Sequence, residues 1–161
     1  MRFLTPLLLT LLFAAHLPTF GQGGCTTTLE SIESAAFGEL AAEYKRLHSY
    51  ANPYCDTTNS QFHEIMIALG KKGKSEKIGQ AEIVSSMGTP YFEGTLSSYE
   101  AQKITVGRNG RQTGKALPPA YKIPTGEYYI VYLWRKKDYL VFACQGGKVV
   151  DSKWWEKGDY R

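Results

Sequence analysis

Two β-branched and aromatic runs near the C-terminus, residues 128–134 (Tyr-Tyr-Ile-Val-Tyr-Leu-Trp) and 139–145 (Tyr-Leu-Val-Phe-Ala-Cys-Gln), are separated only by the polar break Arg135, Lys136, Lys137 and Asp138. Runs of this length and composition predict strands. Gly146-Gly147 comes next, a pair that tolerates the positive φ angles of a two-residue type I′ hairpin, and residues 149–155 predict a third strand. The last third of the chain therefore reads as an antiparallel meander. Helical segments precede it, which places the chain in the α+β class, with helices packed on one face of a C-terminal sheet of three to four strands.

Period-two alternation adds a demand. Tyr129, Val131 and Leu133 point to one face of the sheet, and Tyr128, Ile130, Tyr132 and Trp134 to the other. Leu140, Phe142 and Cys144 oppose Tyr139, Val141 and Ala143 in the same way. An antiparallel sheet with one wet face would alternate with polar residues, and this one does not. Helices cover one face only. The other, taken as the Tyr128, Ile130, Tyr132 and Trp134 face, needs residues 91–127, a second copy of the chain or a partner to cover it.

Upstream, Leu29, Ile32, Ala36, Leu40, Tyr44 and Leu47 recur at helical spacing and predict a long amphipathic helix over 28–50, ended by Asn52-Pro53. A second helix is expected from a cap among Asp56, Thr57, Thr58, Asn59 and Ser60 to Gly70, with Lys71-Lys72-Gly73-Lys74 as a loop. A third covers 80–87, with Gly88 as a left-handed cap and Pro90 preventing continuation. Residues 91–127 dissolve into Gly, Ser, Pro and charge, apart from a short alternating run at 104–106 read as an edge strand. They form a long insertion in a domain spanning 22–161.

The N-terminus carries one charge, Arg2, before an apolar run at 3–15 and a turn at His16-Leu17-Pro18, the layout of a secretory signal peptide. The run is too short for a stable bilayer anchor, so the mature chain is expected to begin near Gln22 without a transmembrane segment. Losing Arg2 takes the net charge from +4 to +3. That mild excess suits an anionic envelope surface or a protein partner better than nucleic acid.

Three cysteines, Cys25, Cys55 and Cys144, cannot all pair within one chain. In one reading Cys25 is the acylated N-terminus of a lipoprotein anchored in the outer membrane, leaving Cys55 and Cys144 to bond. In another, a Cys25–Cys55 bridge staples the N-terminal segment and Cys144 stays reduced in the core; a third has no bridge.

No catalytic or cofactor motif emerges. His48, Cys55 and His63 match no zinc spacing, and residues 70–74 lack the spacing and final Ser or Thr of a phosphate loop. Surface or helix-packing roles are the ordinary reading of both histidines. A small secreted hydrolase using Cys55 and His63 is the rival expectation from another class. Basic clusters at Lys71, Lys72, Lys74 and Lys77 and at Arg135, Lys136 and Lys137 suit contact with anionic lipid or an acidic partner.

Met87-Gly88-Thr89-Pro90 ending a helix, then Tyr132-Leu133-Trp134-Arg135, Asp138-Tyr139-Leu140-Val141-Phe142, and Gly147-Lys148-Val149-Val150 leading to Trp154, resemble the SmpA/OmlA family of small bacterial envelope proteins. More broadly they resemble the β-lactamase-inhibitor-like fold, two helices on one face of an antiparallel sheet. The resemblance spans residues 78–155, interrupted by 91–127. It implies scaffolding of β-barrel assembly by outer-membrane lipoproteins, or inhibition of hydrolases by secreted members. The chain departs from the pattern in its polar Gln22 before Cys25, its extra helix and its insertion.

The expectation is an exported, periplasmic or secreted, non-catalytic binding or scaffold module, acting without a cofactor. It would recognise a protein or lipid surface, alone or as a homodimer, through Tyr128, Tyr132, Trp134, Arg135, Lys136, Lys137 and Trp154.

Overall fold

The structure, a computed structural model, describes residues 26–49, 60–102, 105–106, 112–113, 117–135 and 138–155. Helices α1 (Phe37–Ser49), α2 (Ser60–Ser75) and α3 (Gln80–Met87) come first. Strand β1 (Phe92–Thr95), helix α4 (Leu96–Ala101), the short strands β2 (Thr105–Val106) and β3 (Gln112–Thr113) and a 3-10 turn (Ala120–Lys122) follow. The chain then enters β4 (Tyr128–Arg135), β5 (Asp138–Gln145) and β6 (Lys148–Trp155). The main sheet is antiparallel in the order β1-β4-β5-β6, and β2 pairs with β3 in a separate two-stranded sheet. Gly146 and Gly147 take φ of 57° and 75°, the signs a type I′ turn requires.

Both faces of the sheet are closed by the chain itself. Ile130, Tyr132, Trp134, Leu140, Phe142 and Cys144 pack under the α1–α3 layer with Leu40, Leu47, Phe62, Ile65 and Leu69. On the reverse, Tyr129, Val131, Tyr139, Val141, Ala143 and Trp155 pack with Phe92 and Tyr99 from the 91–127 segment. The expected assignment of faces is thus inverted, because a strand apolar on both sides carries no label saying which side meets helices. The 91–127 segment is no structureless loop. Tyr91 donates its N–H to the Val131 carbonyl (2.8 Å), and the buried Tyr99 hydroxyl donates to the Pro118 carbonyl (2.7 Å), so the cover is pinned by hydrogen bonds as well as by rings.

A bulge lets β6 serve the helix-side core. Ala143 pairs with Asp151 but Cys144 pairs with Val149, leaving Val150 as the extra residue. That slip turns Val149 into the core and Val150 outward, 41% exposed. Cys144 is a free, buried thiol whose pKa burial pushes up to about 11. It packs in the helix-side core and makes no disulfide; Cys25 and Cys55 lie outside the described residues.

Two helix boundaries differ from expectation. α1 begins at Phe37 because the Glu39 carboxylate accepts the Ala36 N–H (2.8 Å), half of a capping box, while residues 26–34 run outside the helix as bends and turns. Leu29 and Ile32 still pack against the core from that segment. α2 does not stop at Gly70 but continues to Ser75, so Lys71, Lys72 and Lys74 are helical and Lys77 follows the helix at φ 50°. The reason lies underneath the helix. A Cβ on Gly70 would sit 2.9 Å from Leu140 Cδ1 and one on Gly73 2.7 Å from Phe142 Cε1, so the two glycines form a notch that seats α2 on β5. Ser152 Oγ closes the contact by donating to the Gly70 carbonyl (2.7 Å).

The notch makes a test with opposite signs. Ala exceeds Gly in helix propensity by about 1 kcal/mol, whereas overpacking a filled core costs about 1–3 kcal/mol. Phe142 is fully buried and meets Tyr132 edge-on, so its ring has nowhere to go and the clash wins. Gly73→Ala is expected to lower the urea midpoint, and Gly38→Ala in α1, where a Cβ would meet nothing within 4 Å, to raise it or leave it unchanged.

The N-terminal segment is fastened by one carboxylate. Glu43, buried on α1, accepts from the Thr28 N–H (2.8 Å) and takes two bonds from the Arg46 guanidinium (2.8 and 2.7 Å). Arg46 also donates to the Thr26 carbonyl, and Thr27 N–H to Gln61 Oε1 (2.9 Å) on α2. The Arg46 hydrogen bonds, against the opposing effect of burial, hold the Glu43 pKa at about 2 instead of 4.5. A depressed folded-state pKa means that this stabilisation is complete above 4.5 and is lost as pH falls toward 2. Denaturant titrations at stepped pH are expected to show a loss of stability across that window that Glu43→Gln flattens; equal acid slopes would show that the clamp contributes nothing.

Candidate binding surface

Of the seven residues expected to bind, the structure describes Tyr128, Tyr132, Trp134, Arg135 and Trp154, and does not gather these five into one surface. Tyr128 is half-buried at the start of β4, opposite Thr95 and Cys144. Tyr132 is 1% exposed; its hydroxyl donates to the Gly88 carbonyl (2.8 Å), and burial raises the phenol pKa well above its ordinary value. It is a core residue and presents no recognition surface. Gly88 itself takes φ 87° and ψ −166°, not the left-handed cap expected, a region open in practice to glycine alone. Arg135 closes β4 opposite Asp138, while Lys136 and Lys137 lie outside the described residues.

Trp134 and Trp154 do come together, at the end of the sheet where β4 and β6 finish. Their ring centroids are 5.6 Å apart. His63, in the first turn of α2, lies parallel to Trp134 (5.5 Å, 7°) and tilted on Trp154 (5.2 Å, 46°). Phe62 joins Trp134 from beneath, and behind it Tyr44 stacks on His48, which is exposed. Trp134 is buried, whereas Trp154 and His63 are only half-buried and form the outer layer of the cluster. Sequence reasoning set His63 aside as a surface or helix-packing histidine. Its ring stack was not legible because it depends on how α2 crosses the sheet. Cys55, the nucleophile of the rival hydrolase reading, lies outside the described residues.

A concave feature runs along the outer side of α2. It is a groove of about 470 Å³ between α2 and the 26–34 segment, with Ile32, Ile67 and Ala68 as its apolar part and Glu64, Lys71 and Lys72 among its charges. The expected lysine loop hid it, since a loop has no face along which charges line up. Among the described residues no group of three or more His, Cys, Asp or Glu gathers to hold a metal ion, and no helix is long and apolar enough to cross a membrane.

No protein-family model matches the chain, and neither a curated protein nor a solved structure matches it.

Proposed function

We propose that this chain is an exported, non-catalytic binding module of the cell envelope or extracellular space, and that it holds a protein or lipid surface at the Trp154 end of its sheet. The observation that carries the reading is the half-buried pair Trp154 and His63 layered over Trp134. Tryptophan combines a large apolar area with a polar N–H, which suits a desolvated contact bordered by water. Arg135, Lys136 and Lys137 follow Trp134 directly in the chain, a run of positive charge that favours an anionic partner. The broad faces of the sheet are occupied by the chain itself, so recognition moves from the face to this rim. The leader-like residues 1–21 support export, and helices over an antiparallel sheet agree with what the SmpA/OmlA resemblance implies.

Retention of native envelope components on the immobilised protein tests the proposal. Trp154→Ala and a Lys136→Glu, Lys137→Glu double variant are each expected to lose most of the retained partner with the circular dichroism spectrum unchanged. Wild-type retention by both overturns the rim reading. Loss of function in Cys55→Ala, with the fold intact, would favour the hydrolase instead.

A further inference from the structure

We propose that two copies of this chain pair through the outer face of α2, antiparallel, about a two-fold axis at Ile67 and Ala68. Residues 64, 67, 68 and 71 follow the spacing of one helix face. Glu64 and Lys71 are exposed, Ile67 and Ala68 half-buried. Lys72 pairs with Glu76 (3.6 Å) and Lys74 with Asp151 (2.7 Å), but among the described residues Glu64 and Lys71 make no ion pair. These two opposite charges stand at equal distances on either side of the 67–68 midpoint. A dyad there sets Glu64 of each copy against Lys71 of the other, so the patch is complementary to itself, as an isologous contact requires.

The shape agrees with the charge. The α2 ridge lies directly beside the groove of about 470 Å³ that it helps to form. Two-fold rotation about the 67–68 midpoint therefore lays the α2 wall of one groove against the α2 wall of the other, covering Ile67 and Ala68. Ala68 at the axis is small enough for helix axes to approach within about 8–10 Å. Glu33 lines the same groove, and Lys72, already paired with Glu76, adds no free charge to it. This contact is independent of the Trp154 rim and does not rest on what that rim binds.

Sedimentation velocity of the purified protein over a concentration series tests the pairing by charge exchange. The wild type is expected to be a dimer. Glu64→Lys or Lys71→Glu alone puts like charges together twice per dimer and should weaken association about tenfold; the double variant restores the pairs and should recover it. Both positions are exposed, so circular dichroism should stay unchanged throughout. A wild type monomeric at every concentration overturns the proposal. So does a dimer indifferent to the single variants, which would pair through another surface, or one that the double variant fails to restore, which would exclude the antiparallel register.

Discussion

Trp134→Glu is expected to unfold the protein outright. Trp134 is 4% exposed, with Phe62, His63 and Trp154 at ring distances of 5.8, 5.5 and 5.6 Å. Emptying an indole-sized site in a core costs about 3–5 kcal/mol before anything replaces it. A carboxylate placed there adds the cost of burying a charge or of forcing it to protonate. Against a total stability of about 5–15 kcal/mol for a domain, the two together leave little or no folded population. Loss of the far-ultraviolet helical signal at room temperature is the expected result, with Trp134→Phe remaining folded as the control. A Trp134→Glu variant that melts like the wild type would place this side chain outside the core and sink the helix-side packing described above.

Removing residues 94–119 should have a different and comparably large effect. The deletion takes away Tyr99 and Pro118, whose hydrogen bond ties the cover together, and half of β1, so it uncovers Tyr129, Val131, Val141 and Trp155. Burial of side chains of this size is worth roughly 1.5–3 kcal/mol each, and a monomer does not leave such a contiguous patch wet. The helix-side core is untouched, so helical content should survive while the protein self-associates and binds a hydrophobic dye. A deletion variant that stays monomeric, dark to the dye and as stable as its parent would mean that the reverse face needs no cover.

The meander was legible because each of its signals is local: two aromatic and β-branched runs, a polar break, and a Gly-Gly turn. α3 was legible for the same reason, its boundaries resting on a nearby glycine and proline. What escaped depended on contacts distant in sequence. Gly70 and Gly73 read as a helix stop until Leu140 and Phe142 are seen beneath them, where the missing side chains are what allow the helix to approach. Residues 28–36 keep the apolar spacing of a helix yet run outside it, because Thr28 is held by Glu43 and Ala36 by Glu39. The demand that both sheet faces be covered came from alternation alone. Which segment took which face required the third dimension. Of the residues expected to bind, Trp134 and Trp154 meet in one ring cluster whose third member, His63, was not among them, and Tyr132 belongs to the interior.

The three long strands all lie after residue 127, at the end of the chain. Every helix among the described residues, and the described part of the reverse cover, are therefore made before the surface they rest on exists. A ribosome carrying only the first three-quarters of this protein holds two apolar layers with nothing between them, and neither can complete a core until the C-terminal strands emerge. Synthesis runs from one end, but folding here waits for the other.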